Sequence, residues 1–189
     1  MFFDCGASVG AELFIVEGRS AANAVNVVRD RQHQAVLALQ GKIPNCATAA
    51  GLRKALKNQH VQELLSVLSG GKEKFDRLLI LCDADADGLH ARFLLTSFFH
   101  LQLSELVNRQ IVFQVYPPLY QRLLPASGTR RFFWNDDTGN PVGTHRRVER
   151  SDGEVTYFKG IAGMPAEALW QTCVSAEQRA QSPVHATTG

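Results

Sequence analysis

The chain lacks the features that would place it in a membrane, outside the cell or around a zinc ion. No run of residues approaches the roughly 18 apolar positions of a membrane-spanning helix, so no membrane association is expected. The stretch "MFFDCGASVGAELF" has no basic segment, carries Asp4 early and lacks the long apolar core of a secretion signal. Cys5, Cys46, Cys82 and Cys173 lie 36 or more positions apart, with no C-x-x-C pair and no histidine at a zinc spacing. They read as reduced thiols of a cytoplasmic protein. Neither sign of charge dominates: 20 Lys and Arg stand against 18 Asp and Glu, so bulk charge permits a polyanionic partner without requiring one. There is no internal repeat.

What is present fits one ordinary globular domain plus an appendage, since 189 residues at 45% hydrophobic cannot readily supply two full cores. "ELFIVEG", Glu12 to Gly18, is an apolar run stopped by glycine and predicts a strand buried on both faces. "RSAANAVNVVRDR" then predicts a helix, with Ser20 as its cap and Ala21, Ala24, Val25 and Val28 on one face. "QAVLALQG" is a second strand, and Val61, Leu64, Leu65 and Leu68 in "HVQELLSVLSGG" have helical spacing. A third strand covers Arg77 to Cys82, a long helix follows Gly88 to about Asn108, and "IVFQVYPPLY" is a fourth strand broken by Pro117 and Pro118. Strands alternating with helices predict an α/β fold, a parallel sheet with helices on both faces. From about Leu123 the texture becomes β-rich, with turn signals at "DTGN" and "SDGE", before "MPAEALWQTCV" restarts a helix. The expected division is a metal-binding domain over 1–122, an appendage of hairpins and a helix over 123–179, and a disordered tail over 180–189.

The chemistry is concentrated in "LLILCDADADGLH", Leu78 to His90. Asp83, Asp85 and Asp87 follow the C-terminal end of a predicted parallel strand, where open α/β sheets place their ligand sites. Extended backbone would send residues two apart to the same side, so the three carboxylates are expected to converge. Converging anions raise one another's pKa unless a cation is present, and Mg²⁺ suits a few carboxylates with water and phosphate oxygens completing its shell. Glu17 ends the first strand in the same kind of place and adds a fourth acid, as metal ligand or general acid/base. A solvated turn or helix cap is the plainer reading of such an acidic loop. An EF-hand calcium loop is disfavoured, because its twelfth position is Leu94 and a strand stands where a helix belongs. A haloacid-dehalogenase-type phosphatase is disfavoured by Asp87, which occupies the place of that motif's Thr or Val.

With these residues in view the chain resembles the TOPRIM region of the B subunits of type IIA DNA topoisomerases, gyrase and topoisomerase IV. "ELFIVEGRSA" looks like that family's E-G-D-S-A segment, and "RDRQHQAVLALQGKIPN" resembles the stretch ending P-L-K-G-K-I-L-N. "LCDADADGLHAR" is similar to D-A-D-V-D-G-x-H-I-R, "YPPLYQR" to Q-P-P-L-Y-K, and "YFKGIAGMPAEALWQT" to Y-K-G-L-G-E-M-N followed by Q-L-W-E-T-T. Five segments in the family's order span roughly Cys5 to Arg179.

The resemblance implies a Rossmann-like TOPRIM sheet holding one or two Mg²⁺ ions beside double-stranded DNA, while a tyrosine on a partner A subunit attacks the phosphodiester. Glu17, Asp83 and Asp85 would be the core metal site, Asp87 a further ligand, and Glu17 a proton carrier. Arg19, Lys42, His90, Arg92 and Lys159 fall on positions near DNA or the acids; surface solubility charge is the competing reading. Tyr116, Tyr120 and Tyr157 are expected to pack rather than to act as nucleophiles. Arg19, Gln40 and Gly163 depart from the family pattern, where Asp, a basic residue and Glu stand. Nothing resembles the ATP-binding domain of a complete topoisomerase of this class, so this chain is not expected to bind ATP, a separate ATPase chain is a candidate partner, and the chain is expected to be a stand-alone module, a truncated product or an excised piece. Two other readings compete with a topoisomerase module of the cytoplasmic nucleoid. One is a degenerate module that only docks on DNA or the A subunit, and the other is a metal-dependent nuclease or primase-like enzyme.

Overall fold

The computed structural model describes residues 1–70, 74–134 and 154–185. A six-stranded sheet dominates it. Its four central strands are parallel: β2 (Ala11–Glu17), β3 (Gln34–Leu39), β4 (Phe75–Leu81) and β5 (Val112–Val115). The edges are antiparallel, with β1 (Phe2–Phe3) beside β3 and β9 (Gln181–Pro183) beside β5, in the order β1-β3-β2-β4-β5-β9. The predicted parallel sheet is therefore present, extended by two short strands that no apolar run announces.

Alternation along the strands splits the core in two. Leu13, Ile15, Leu37, Leu78 and Ile80 face one layer, with α2 (Ala49–Lys57), α3 (Gln59–Gly70), α4 (Ala86–Gln102) and α5 (Ser104–Asn108) behind them. Phe14, Val16, Val36, Leu79 and Leu81 face the other layer, where α1 (Arg19–Val28) packs. That second layer is completed from far along the chain. Ile161, Met164, Ala168, Leu169, Cys173 and Val174 join Ala21, Ala22 and Val25 in one buried cluster. These residues come from a 3₁₀ turn (Ile161–Gly163), α6 (Ala166–Leu169) and a π-helical turn (Trp170–Val174). The helix expected in an appendage thus covers one face of the main sheet.

A second, three-stranded antiparallel sheet has β6 (Tyr120–Leu123) at its centre, between β7 (Arg130–Phe133) and β8 (Glu154–Tyr157). β6 and β7 form a hairpin; the turns expected at "DTGN" and "SDGE" lie outside the described residues, apart from Glu154. Three local expectations are corrected. Ser20 does not cap α1: Gly18 occupies the cap and makes no side-chain bond, because the helix begins at Arg19. The long helix after the acids starts at Ala86 and breaks at Leu103, whose φ of −131° is not helical, before α5 begins. The segment 180–185 is ordered by pairing, with Ser182 in register with Gln114, while 186–189 lie outside the described residues. α2 has no counterpart among the expected elements, although Thr48 caps it by accepting a hydrogen bond from the Gly51 N–H at 3.1 Å.

Candidate functional site

The order of the sheet decides where a site can form. After β2 the chain turns to α1 on one face, and after β4 it turns to α4 on the other. β2 and β4 are neighbours, so the crevice beyond their C-terminal ends is a switch point. Val16 is in register with Leu81, which places Glu17 level with Cys82 and one residue short of Asp83. Glu17 and the three aspartates therefore share one edge of the sheet.

They do not share one point, as extended backbone would have required. Asp85 is the N-cap of α4, and its Oδ1 accepts a hydrogen bond from the Gly88 N–H at 2.7 Å. The chain turns helical at Ala86, so Asp87 stands in the first turn of α4, favourable to the helix dipole, and its Oδ1 receives the Lys42 ammonium at 2.6 Å. Asp83 Oδ1 accepts the backbone N–H of Ile161 at 2.7 Å. Among the described residues no three His, Cys, Asp or Glu side chains are grouped closely enough to hold one ion.

The electrostatics separate the four acids. Burial pushes the Glu17 carboxyl above its ordinary range, and Asp83, Asp85 and Asp87 push it further, against a partial offset from Lys42. Asp83 is also raised, by burial first and by Asp85, although the Ile161 N–H favours its charged form. Asp87 is lowered by its hydrogen bond to Lys42. A donor set of hard oxygens, two of them on carboxyls destabilised by burial and mutual repulsion, fits a divalent cation such as Mg²⁺. Such an ion uses one or two carboxylates and keeps waters, so a preformed three-acid cage is not required.

A cavity of about 210 Å³ opens beside Asp83 and Asp85, walled by Pro117, Pro118, Phe158 and Lys159. Of the basic residues singled out in the sequence, Lys159 lines this cavity and Lys42 meets Asp87. Arg92 lies with its guanidinium 4.8 Å from the Tyr116 ring centre. His90 and Arg19 are exposed, and Arg19 forms no ion pair with any of the four acids. Of the tyrosines, Tyr120 is buried and stacked on Phe133 with ring centres 4.7 Å apart, while the Tyr116 hydroxyl bonds Ser182 at 2.8 Å.

Charge singles out Lys159 in the "YFKG" segment but not Gly160 and Ile161 after it. Gly160 has φ of 136°, and a β-carbon there would stand 2.9 Å from Asp83 Oδ2. A glycine directly after a basic residue, before a hydrophobic turn, was the available signal.

The Toprim domain model matches residues 12–115, which run from the start of β2 to the end of β5 and include all four acids. The chain belongs to the Toprim family. It is 38% identical over 184 residues to the B subunit of DNA gyrase from Thermus thermophilus, covering 89% of this chain and 28% of that protein. It is 36% identical over 186 residues to the B subunit of DNA topoisomerase 4 from Caulobacter vibrioides, covering 93% and 26%, and 34% identical to the B subunit of DNA gyrase from Archaeoglobus fulgidus, covering 89% and 27%. This Toprim chain thus spans little more than a quarter of the curated relatives it matches. Among its described residues no helix is long and apolar enough to cross a membrane.

Proposed function

We propose that the chain is the Mg²⁺-binding Toprim module of a type IIA DNA topoisomerase, working on double-stranded DNA with an A subunit that carries the attacking tyrosine. The observation that carries this reading is the placement of Glu17 and Asp83 at the switch point between β2 and β4, both with raised pKa. Glu17, Asp83 and Asp85 would hold the metal, with Asp87 as a further ligand. When bound, the metal supplies charge neutralisation for phosphate oxygens and for the departing 3′-oxygen. Where Glu17 is not itself a ligand, it would serve as general acid/base, giving a proton to that oxygen during cleavage and recovering it during religation. Lys159 and Lys42 flank the acids and suit backbone phosphates, while Arg92, His90 and Arg19 extend the basic border. Neither ATP hydrolysis nor supercoiling is expected of this chain alone. Its expected setting is the nucleoid in the cytoplasm.

The degenerate-module reading rests on Arg19, Gln40 and Gly163 and on the lack of an ATP-binding domain among these residues, with Arg19 as a cation competing at the metal site. Arg19 is exposed and makes no ion pair with Glu17, and on that count the site is free to work. The test mixes this chain with a purified A subunit, supercoiled DNA and Mg²⁺, and traps covalent protein–DNA complexes with detergent. Complexes that disappear in Asp83→Ala and Glu17→Ala are expected. Their absence with the native chain, when the same A subunit forms them with its complete gyrase partner, would overturn the topoisomerase reading.

A further inference from the structure

The acidic edge is not complete within residues 12–115. Asp83 is gripped from a point 78 positions away, by the turn that links β8 to α6. Its Oδ1 accepts the Ile161 N–H at 2.7 Å, and its carboxylate lies flat against the bare Cα of Gly160. A β-carbon at 160 would come within 2.9 Å of Oδ2, 3.0 Å of Cγ and 3.1 Å of Oδ1. The first is shorter than real β-carbon contacts and the other two are tighter than most, so the Asp83 carboxylate would have to shift, and the φ of 136° at Gly160 independently disfavours any other residue. The main chain of Asp83 is gripped as well, because a β-carbon on Gly88 would collide with the Asp83 carbonyl.

The turn is itself held firmly. The Ile161 side chain is fully buried against α1, Gly163 N–H bonds Gly160 O at 3.0 Å, and Phe158 N–H bonds Leu119 O at 2.9 Å. Asp83 therefore does not choose its own rotamer. Strand alternation aims it at the α1 face, where Ile161 waits, and leaves Glu17 on the opposite alternation, so the two acids approach the crevice from different faces.

We infer that Gly160 and Ile161 are positioning residues for Asp83, a clamp that fixes one carboxylate oxygen and presents the other to a divalent cation. The inference rests on the reading of the acids as a cation site, and it adds to that site a segment outside the Toprim match. A ligand held by an outer hydrogen bond loses about 10- to 100-fold in metal affinity when the partner is disturbed. Gly160→Ala should reach that range. Gly163→Ala, in the same turn but with open space around its Cα and no positive φ, should leave affinity unchanged.

The test uses the whole chain and two readouts. Mn²⁺ uptake is followed by the loss of its free electron-spin-resonance signal in the native, Gly160→Ala and Gly163→Ala chains. Hydrogen exchange of the Ile161 amide is compared by NMR between native and Asp83→Ala. The expected result is affinity at least about ten-fold weaker in Gly160→Ala alone, with an Ile161 amide that is slow in the native chain and accelerated in Asp83→Ala. Equal Mn²⁺ affinity in native and folded Gly160→Ala, or an Ile161 amide indifferent to Asp83, overturns the clamp. Should Gly160→Ala not fold, the amide comparison decides. A native chain that takes up no Mn²⁺ counts against the acids as a metal site, while the amide comparison still decides whether Asp83 is clamped.

Discussion

Two glutamates stand at the two ends of one strand and meet opposite fates. Glu12, near the start of β2, is more enclosed than Glu17, yet burial there is outweighed. Its carboxylate accepts from Arg179 Nη1 at 2.7 Å, from Arg179 Nη2, and from Gln34 Nε2 at 2.8 Å, so its pKa falls below the ordinary value. Glu17, at the end of the strand, makes no ion pair among the described residues and has three aspartates nearby, and burial together with their charge raises its pKa. The first end is a finished structure, with donors and acceptors matched inside the protein. The second is unfinished, and a carboxylate left in that state is suited to chemistry with something that arrives from outside.

The largest test of this contrast removes each glutamate in turn. Arg179 has a fully buried side chain that also lies 5.8 Å from the centre of the Phe14 ring. Glu12→Ala would strand that guanidinium without a counter-charge, an event that destabilises proteins by about 3–5 kcal/mol. Urea unfolding of the metal-free chain should show a loss of this order for Glu12→Ala and no comparable loss for Glu17→Ala. Replacing Glu12 and Arg179 together by Met should recover most of the loss, because an apolar pair leaves no orphaned charge. Equal destabilisation by Glu12→Ala and Glu17→Ala would erase the distinction between the two ends.

A smaller effect separates them by pH. The ordinary value for both carboxyls is 4.5. Because the folded pKa of Glu12 is depressed, its stabilisation is complete above about that pH and is lost as the pH falls through the folded pKa. The gap between native and Glu12→Gln unfolding free energies should therefore narrow in acid. Glu17 has the opposite sign. Its folded pKa is raised, so the charged form weakens the metal-free fold as the pH rises through the folded pKa. Glu17→Gln should then gain on the native chain between acid and neutral pH. A gap that widens in acid for Glu12, or a Glu17→Gln chain that loses ground toward neutrality, would contradict the assignment.

The finished end was the less legible of the two in sequence. Glu12 pairs with Arg179 across 167 positions, Gln34 also donates to Val174 O, and β9 is set by pairing with β5. None of these carries a local pattern, since a lone arginine near a polar tail looks like a solubility charge. The acids at the other end announced themselves, because an apolar run ending in D-x-D-x-D-G is unusual within a single window. Even there, the spacing alone misleads about side-chain geometry. Spacing of two implies convergence only in extended chain, and Asp85 ended the extension by capping α4. The four central strands were readable because burial on both faces leaves continuous apolar runs. The cover on the α1 face was not, because half of it returns from residues 161–174.

The smallest effect tests whether the unfinished end contributes to stability at all. Lys42 meets Asp87 at 2.6 Å, but the Asp87 side chain is 84% exposed, and an ion pair in water contributes little. Lys42→Met should leave the unfolding midpoint unchanged within error. Its consequence lies instead in the field at the crevice, because Lys42 is a cation that offsets repulsion at Glu17 and occupies an oxygen of Asp87. Removing one positive charge at such a distance should tighten Mg²⁺ binding by about two- to threefold at low ionic strength. The gain should shrink as salt is raised toward physiological strength, where the screening length is about 8 Å. A calorimetric Mg²⁺ titration of native and Lys42→Met chains at two salt concentrations measures both. Tighter binding with unchanged stability would mark the acidic end as held for its ligand; lost stability with unchanged Mg²⁺ affinity would make Lys42 and Asp87 one more finished pair, like Glu12 and Arg179.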